Sequence, residues 1–268
     1  MGLPHEESSH MAKPQTRSDD LTLIRAERLS AGYGSNLAIR DIDLEIRRGE
    51  VVALFGPNGA GKTTTLLTLG GELRAATGRV VWNNSGKWEP LHRRARQGFA
   101  FVPEDGAVFG GLTAHQNLMV ARRAERDSAM HVFPELRDLL HRRGGLLSGG
   151  EQRMLAVGRA IGGPTRLLVA DELSLGLAPR TVGVILKAIR AAAERGLGAL
   201  IVEQHVHRAL GFVDRVYVMQ RGRITLDMTA AEARKNIDEI QAQYLTAEAP
   251  AGITANGNNV EPTEGGGA

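Results

Sequence analysis

The sequence predicts an α/β fold built on a mostly parallel sheet, and three observations lead to that prediction. Four short apolar runs are typical of strands buried on both faces: Val51–Phe55, Leu167–Ala170, Ala199–Val202 and Val216–Met219. Helical stretches follow several of them, which favours parallel strands covered on both faces: Gly61–Leu69, Pro179–Glu194 and a stretch from His205. The stretch Thr113–Arg143 is typical of consecutive helices and predicts a helical insertion in this core.

Outside the parallel core, Ile42, Leu44 and Ile46 alternate with charged residues, as in a half-buried strand. Both ends of the chain differ in composition from the middle: residues 1–20 are polar, and 246–268 are rich in Gly, Ala, Asn, Pro and Thr. We therefore expect one domain over 21–245, with a helical insertion over about 105–160, between two disordered tails.

Composition and charge restrict the classes of protein. The 268 residues include no cysteine, which excludes disulfides, thiolate zinc sites and thiol nucleophiles. No run approaches about 18 apolar residues, and residues 1–20 lack an apolar run, so we expect neither a membrane span nor a secretory signal peptide. Positive charge is concentrated in 21–245, which suits a solvated surface, an anionic membrane, a nucleotide or nucleic acid.

The strongest motif is a phosphate-binding loop between the strand Val51–Phe55 and a helical stretch. It fits the pattern G-x-x-x-x-G-K-[ST] and comprises Gly56, Pro57, Asn58, Gly59, Ala60, Gly61, Lys62, Thr63 and Thr64. Its glycines let backbone N–H groups turn towards a phosphate, and the positive end of the helix faces the same anion. Lys62 supplies a charge for the β- and γ-phosphates and Thr63 a hydroxyl for Mg²⁺, so the loop predicts binding of a nucleoside triphosphate.

Two carboxylates end the apolar strand Leu167–Ala170. Ligands of an open parallel sheet gather at the carboxyl ends of its strands, which places Asp171 to help hold Mg²⁺. Glu172 is then placed to orient or deprotonate an attacking water. By itself the pattern is equally compatible with solvated acids, but downstream of a phosphate loop it favours hydrolysis.

A Ser-Gly-Gly segment precedes another apolar-periodic helix. Ser148 and Glu151 have the spacing of a capping box, which by itself predicts only a helix start. The adjacent glycines also leave backbone N–H groups uncovered, as in a second anion site. The segment comprises Leu147, Ser148, Gly149, Gly150, Glu151 and Gln152.

With these motifs, residues 21–245 resemble the ATP-binding subunit of an ABC (ATP-binding cassette) transporter. The matching motifs are the Walker A loop at 56–63, the signature LSGGEQ at 147–152 and the Walker B segment at 167–172. Further segments resemble the branched-chain amino-acid branch: VPE at 102–104, VFGGLT at 108–113, LSLGLAP at 173–179, VEQ at 202–204 and AQYL at 242–245. A urea-uptake subunit would be close in sequence.

The resemblance implies a mechanism and a set of partners. It implies a P-loop domain with a small antiparallel β subdomain, in which two cassettes stack head to tail and hold ATP between one phosphate loop and the other signature. Tyr33 matches the residue that stacks on adenine, and Glu104 occupies the Q-loop position, where a carboxylate can approach Mg²⁺ or the permease. The implied partners are permease subunits, a second cassette and, indirectly, an extracytoplasmic solute-binding protein; the implied location is the inner face of the cell membrane.

The residue that senses the γ-phosphate is open between two neighbours. Counting back from Asp214 favours Gln204, and His205 is the rival, since adjacent side chains of a strand point to opposite faces. Two positions depart from the family pattern: Leu173 replaces the proline after the catalytic glutamate, and Ala178 stands where many cassettes have the D-loop aspartate.

Two other functions stay open at this point. A soluble ABC ATPase acting on DNA or the ribosome fits the basic core, although too few residues separate Lys62 from Ser148 for a long coiled-coil arm, and we expect no nucleic-acid partner. A regulatory subunit that hydrolyses ATP poorly would account for Leu173 and Ala178. Elsewhere, we expect Arg93, Arg94 and Arg96 to be solvated or near lipid headgroups.

Overall fold

A computed structural model describes residues 21–120, 129–203, 206–238 and 240. The described residues form nine named strands: β1 (Thr22–Tyr33), β2 (Asn36–Arg47), β3 (Val51–Phe55), β4 (Thr77–Trp82), β5 (Phe99–Val102), β6 (Leu167–Ala170), β7 (Gly198–Glu203), β8 (Arg215–Gln220) and β9 (Arg223–Thr229). The named α-helices are α1 (Lys62–Gly70), α2 (Leu91–Arg96), α3 (Ala114–Met119), α4 (Gly149–Ile161), α5 (Pro179–Glu194), α6 (Val206–Ala209) and α7 (Ala230–Lys235).

The larger sheet has the strand order β5-β6-β7-β3-β8-β9. Its first five strands are parallel, and β9 runs antiparallel to β8. The four apolar runs of the sequence lie in β3, β6, β7 and β8, where helices or the second sheet cover both faces. The prediction of a mostly parallel α/β core is therefore confirmed.

The second sheet is antiparallel, with the order β2-β1-β4. Ile42, Leu44 and Ile46 of β2 are buried and belong to the same core as Val52 and Leu54 of β3. On the opposite face of β3, Val51, Ala53 and Phe55 pack with apolar residues of α4 and α5. The small antiparallel sheet implied by the family resemblance is present, and it covers one face of the parallel sheet together with α1.

The described part of 105–160 contains helical segments and no named strand. Besides α3 and α4 it holds 3-10 helices over Pro134–Leu139 and Gly144–Leu146, and residues 129–132 are helical. Residues 121–128 and both expected tails lie outside the described residues. No helix in the described ranges is long and apolar enough to cross a membrane.

The prediction that Arg94 is solvated is wrong. Its side chain is buried on α2, where Nη1 donates to the carbonyl oxygen of Leu69 at the end of α1. Arg93 and Arg96 are exposed, as predicted. On this short helix the fourth residue, Arg94, faces the protein while Arg93 and Ala95 face solvent, so one arginine of the basic run is buried.

Candidate functional site

The phosphate loop connects β3 to α1 and has the backbone geometry that an anion cradle requires. Gly59 and Gly61 lie in the left-handed region, with φ of 75° and 103°. A side chain at Gly61 would place its Cβ 2.7 Å from Cγ2 of Ile39, so only glycine fits there. Gly61 caps α1 without a side-chain hydrogen bond, which leaves the first N–H groups of the helix uncapped by side chains.

Lys62 is buried at the start of α1, and its ammonium folds back over the loop. Nζ donates to the carbonyl oxygens of Gly56 at 2.9 Å and Pro57 at 3.0 Å. An ammonium has three N–H donors, so these two bonds hold it at the loop and leave one donor for a ligand. Burial lowers the pKa of Lys62, and the nearby carboxylates of Glu172 and Asp171 oppose that shift.

Thr63 and Asp171 meet at the carboxyl edge of the parallel sheet. Thr63 Oγ1 donates to Oδ2 of Asp171 at 2.8 Å, while Oδ1 of Asp171 is buried without a hydrogen-bond partner among the described residues. Burial raises the pKa of Asp171, and the Thr63 hydrogen bond opposes the shift. A hydroxyl and a carboxylate with a buried oxygen to spare form a donor set that fits Mg²⁺.

Glu104 follows β5, the strand next to β6, and its side chain is exposed. Its charge contributes to the raised pKa of Asp171, so the two carboxylates lie within electrostatic reach of each other. No group of three or more His, Cys, Asp or Glu residues able to hold a metal occurs in the described ranges. The arrangement suits a cation that takes few protein ligands and several from phosphate and water, as Mg²⁺ does in nucleotide sites.

Glu172 is half-buried directly after Asp171 and has a φ of 45°, an uncommon value for a residue with a side chain. The following Leu173 is buried in the main apolar core. Burial of Leu173 therefore anchors the turn that a proline would otherwise preset. Glu172 is held in a strained conformation at the strand end, which is common for residues of functional sites.

Ser148 and Glu151 form the predicted capping box at the start of α4. Ser148 Oγ accepts from the backbone N–H of Glu151 at 3.3 Å, and Oε2 of Glu151 accepts from the backbone N–H of Ser148 at 2.7 Å. Gln152 donates to the carbonyl oxygens of Gly144 and Leu147, and Leu147 is buried. Leu147, Glu151 and Gln152 thus stabilise the conformation of the segment through burial and hydrogen bonds, and Ser148 and Gly149 are its exposed residues.

Tyr33 ends β1 next to the phosphate loop. Its side chain is 59% exposed, and its residue pairs with Asn36 across the β1–β2 turn. Two residues earlier, Ala31 pairs with Ile39, the residue that packs against Gly61. An exposed aromatic ring is free to stack on a flat ligand. Gln204 and His205, the two candidates for the γ-phosphate sensor, lie outside the described residues.

Two buried charged residues near the site were missed by the sequence reasoning. Glu203 ends β7, pairs in register with Phe55 and accepts a hydrogen bond from Ser174 Oγ at 2.5 Å. Arg153 lies on the buried side of α4 and donates to backbone carbonyls of the site loops. The available signal was a charged residue inside an apolar pattern: Glu203 directly follows Ala199–Val202, and Arg153 precedes the buried Leu155.

The fold and the site define a P-loop nucleotide-binding cassette. Residues 39–174 match the family model described as ABC transporter. The chain is 36% identical over 232 residues to the high-affinity branched-chain amino acid transport ATP-binding protein BraG of Pseudomonas aeruginosa, covering 83% of this chain and 99% of BraG. It is 32% identical over 239 residues to the lipopolysaccharide export system ATP-binding protein LptB of Haemophilus influenzae, covering 84% and 98% of the two chains.

The fold is also shared with a solved ATP-binding cassette of an ABC transporter in its ADP conformation. That structure gives a TM-score of 0.76 at 23% identity and covers 84% of this chain and 99% of its own. The chain therefore belongs to the ABC transporter family. It is an ATP-binding, ATP-hydrolysing subunit of that family, whose cassettes form dimers and work with transmembrane permeases.

Proposed function

We propose that this chain is the ATPase subunit of an importer for branched-chain amino acids or a related small polar solute. The observation that carries this proposal is its 36% identity to BraG over nearly the whole of that protein. The segments at 102–104, 108–113, 173–179 and 202–204, which resemble the same branch, also support it.

We infer how the site handles ATP from the contacts of its residues. Lys62 and the uncapped N–H groups of α1 bind the phosphates, and the exposed ring of Tyr33 stacks on adenine. Thr63 and Asp171, with Glu104 from the loop after β5, would hold Mg²⁺, which would supply positive charge to neutralise the phosphates. Glu172 accepts a hydrogen bond from the attacking water, which orients it towards the γ-phosphate, and takes its proton.

The exposed Ser148 and Gly149 at the start of α4 bind the ATP of a second cassette, either a related subunit or a second copy of this chain. Sedimentation of Glu172→Gln with and without MgATP tests this arrangement. A shift from monomer to dimer that requires MgATP supports pairing with itself. A monomer that dimerises only when a related cassette is added supports the heterodimer, and a monomer even with both MgATP and the related cassette contradicts cassette pairing.

A groove beside Glu104 is a site for the permease. It encloses about 650 Å³ between α2, β5 and α4, and its lining includes Ala95, Phe101, Pro103, Ala156, Arg159 and Ala160. Apolar walls with basic residues at the side suit an amphipathic helix of a transmembrane subunit. Docking there places the chain on the inner face of the cell membrane, with the solute-binding protein on the opposite side of the permease.

Deletion of the gene in its native host tests the transported solute. We expect high-affinity leucine uptake to be lost and to be restored by the wild-type chain, whereas Lys62→Ala, the matched control, does not restore it. Unchanged leucine uptake would contradict the proposal. Loss of urea uptake would instead indicate a urea importer, and accumulation of lipopolysaccharide in the inner membrane would indicate the export function named for LptB.

A further inference from the structure

Arg153 is an arginine on the buried side of the signature helix. It lies on α4, about one turn after Ser148 and Gly149, and only 6% of its surface is exposed. Burial of a guanidinium is costly unless its N–H groups are satisfied, so its partners indicate what it does.

The guanidinium donates to three backbone carbonyls of two different loops. Nη1 donates to Pro103 O at 3.0 Å, and Nη2 donates to Glu104 O at 2.6 Å and Glu172 O at 3.4 Å. Two of these acceptors belong to the loop after β5, and the third belongs to the loop after β6. One side chain of α4 therefore connects both loops that carry the acidic residues of the ATP site.

The same carbonyls also shape the two loops. Pro103 O accepts from the N–H of Gly106 at 2.9 Å, and Glu172 O accepts from the N–H of Leu175 at 3.3 Å. Each loop thus has a turn whose acceptor is shared with Arg153. Removing the guanidinium leaves the turns with one hydrogen bond each at these positions.

Nearby carboxylates offset part of the cost of burying the charged guanidinium of Arg153. Burial lowers its pKa, and the carboxylates of Glu203, Glu104, Asp105 and Asp171 act in the opposite direction. Its three hydrogen bonds go to carbonyl oxygens, so its planar guanidinium positions the loops while the surrounding carboxylates balance its charge. A lysine ammonium carries the same charge without that planar set of donors.

We propose that Arg153 is a positioning residue that fixes the Glu104 and Glu172 loops of its own ATP site to the helix bearing Ser148 and Gly149. The proposal rests on the roles given above to those residues, and it adds a physical link between the two ATP sites of a cassette pair. When the start of α4 engages the partner's ATP, the position of α4 is transmitted through Arg153 to Glu104 and Glu172.

A matched control is available in Arg94. It too is a buried arginine that donates to a backbone carbonyl, but its acceptor is Leu69 of α1, away from both site loops. Arg94→Gln therefore reports the general consequence of removing a buried guanidinium. Arg153→Gln removes the three site contacts, and Arg153→Lys keeps the charge without spanning the three carbonyls.

Amide hydrogen exchange of the full chain with MgADP is the primary test. We expect Arg153→Gln to speed exchange at least tenfold at both Gly106 and Leu175, with residues 56–64 protected as in the wild type. Arg94→Gln is expected to leave Gly106 and Leu175 unchanged. Unaltered exchange at both amides in Arg153→Gln, or equal acceleration in Arg94→Gln, would overturn the proposal.

ATP turnover is the second readout. We expect kcat to fall at least tenfold in Arg153→Gln while KM for ATP stays within threefold, because the phosphate loop is untouched. Arg153→Lys is expected to fold as the wild type does but to keep less than a third of the wild-type kcat. This variant tests the proposal if Arg153→Gln fails to fold. A kcat in Arg153→Lys equal to that of the wild type would overturn it. If the exchange changes appear but the wild type itself does not hydrolyse ATP, the assigned role of Glu172 fails while the positioning by Arg153 stands.

Discussion

Lys62, Asp171 and Glu203 are ionisable residues that are almost fully buried at the carboxyl ends of β3, β6 and β7. Each is held by a short list of polar partners: two carbonyls for Lys62, the Thr63 hydroxyl for Asp171 and the Ser174 hydroxyl for Glu203. Substituting one of these residues should have a large effect, because its buried partner then lacks a hydrogen bond.

Lys62→Ala removes the only side-chain ammonium that folds over the phosphate loop in the described residues. We expect the dissociation constant for ATP to rise at least tenfold, about 1.4 kcal/mol, because a charge facing the phosphates is lost. Calorimetric titration with MgATP measures this. Lys87→Ala removes an exposed lysine and should bind as the wild type; equal affinities in all three proteins would contradict the assignment of the loop.

Glu203→Gln should change how stability depends on pH. Burial raises the pKa of Glu203 to about 7 from an ordinary value near 4.5. The folded state therefore holds a proton that the unfolded state releases, and the free energy of unfolding falls as pH rises from about 4.5 to 7. Glutamine lacks this titration.

Urea unfolding at pH 5 and pH 8 measures the difference. We expect the free energy of unfolding of Glu203→Gln, relative to that of the wild type, to rise by about 1 to 3 kcal/mol from pH 5 to pH 8. Glu194→Gln, a change at an exposed glutamate, should follow the wild type at both. Parallel pH profiles for Glu203→Gln and the wild type would contradict the buried, protonated carboxyl.

At the scale of elements, two helices in the described ranges begin with a capping box that pairs a hydroxyl with a glutamate. Ser148 with Glu151 begins α4, and Thr229 with Glu232 begins α7. In both, the hydroxyl accepts from the third backbone N–H of the helix at 3.3 Å. Comparing alanine variants of Ser148 and Thr229 separates the stability lost with a helix cap from the activity lost with a group that binds ATP.

Ser148→Ala and Thr229→Ala should each lower the free energy of unfolding by about 1 kcal/mol, the usual value of an N-cap. Only Ser148→Ala should also lower ATP turnover, by at least threefold, because we propose that Ser148 binds the ATP of the second cassette. Unfolding and phosphate-release measurements on both variants check this. Equal turnover in the two variants would contradict a role of Ser148 in ATP binding and leave it only the role of a helix cap.

Much of the element scale could be predicted from the sequence. The runs at β3 and β6 and the helix Pro179–Glu194 have the bounds that their apolar patterns indicate, since each is long or uniformly apolar. The insertion of β7 between β6 and β3 was not predicted, because strand order depends on contacts between distant segments. The burial of Arg94 and Arg153 was not predicted for the same reason. The carbonyl acceptor of Arg94 lies 25 residues away in sequence, and those of Arg153 lie 19 to 50 residues away.

The candidate site shows the same division. The phosphate loop and the Asp171–Glu172 pair could be located because each consists of residues that are contiguous in sequence. The Ser174–Glu203 hydrogen bond joins residues 29 apart, and no local pattern marks it. Contiguous motifs identify a phosphate site, whereas the buried groups that hold it in place become visible only in the folded chain.

At the scale of the whole molecule, the parallel sheet brings four strand ends together at one edge. The phosphate loop follows β3, Glu104 follows β5, Asp171 and Glu172 follow β6, and Glu203 ends β7. The start of α4 is connected to two of these ends through Arg153. We infer that ATP bound at this edge is hydrolysed with Glu172 as the residue that activates water.

The decisive measurement is phosphate release by the wild type and Glu172→Gln at saturating MgATP, with ATP affinity measured on the same preparations. We expect Glu172→Gln to bind ATP as the wild type does while its turnover falls at least tenfold, an increase of about 1.4 kcal/mol in the barrier. Glu194→Gln should retain wild-type turnover. Equal turnover in the wild type and Glu172→Gln, at equal ATP affinity, would contradict the catalytic role of Glu172.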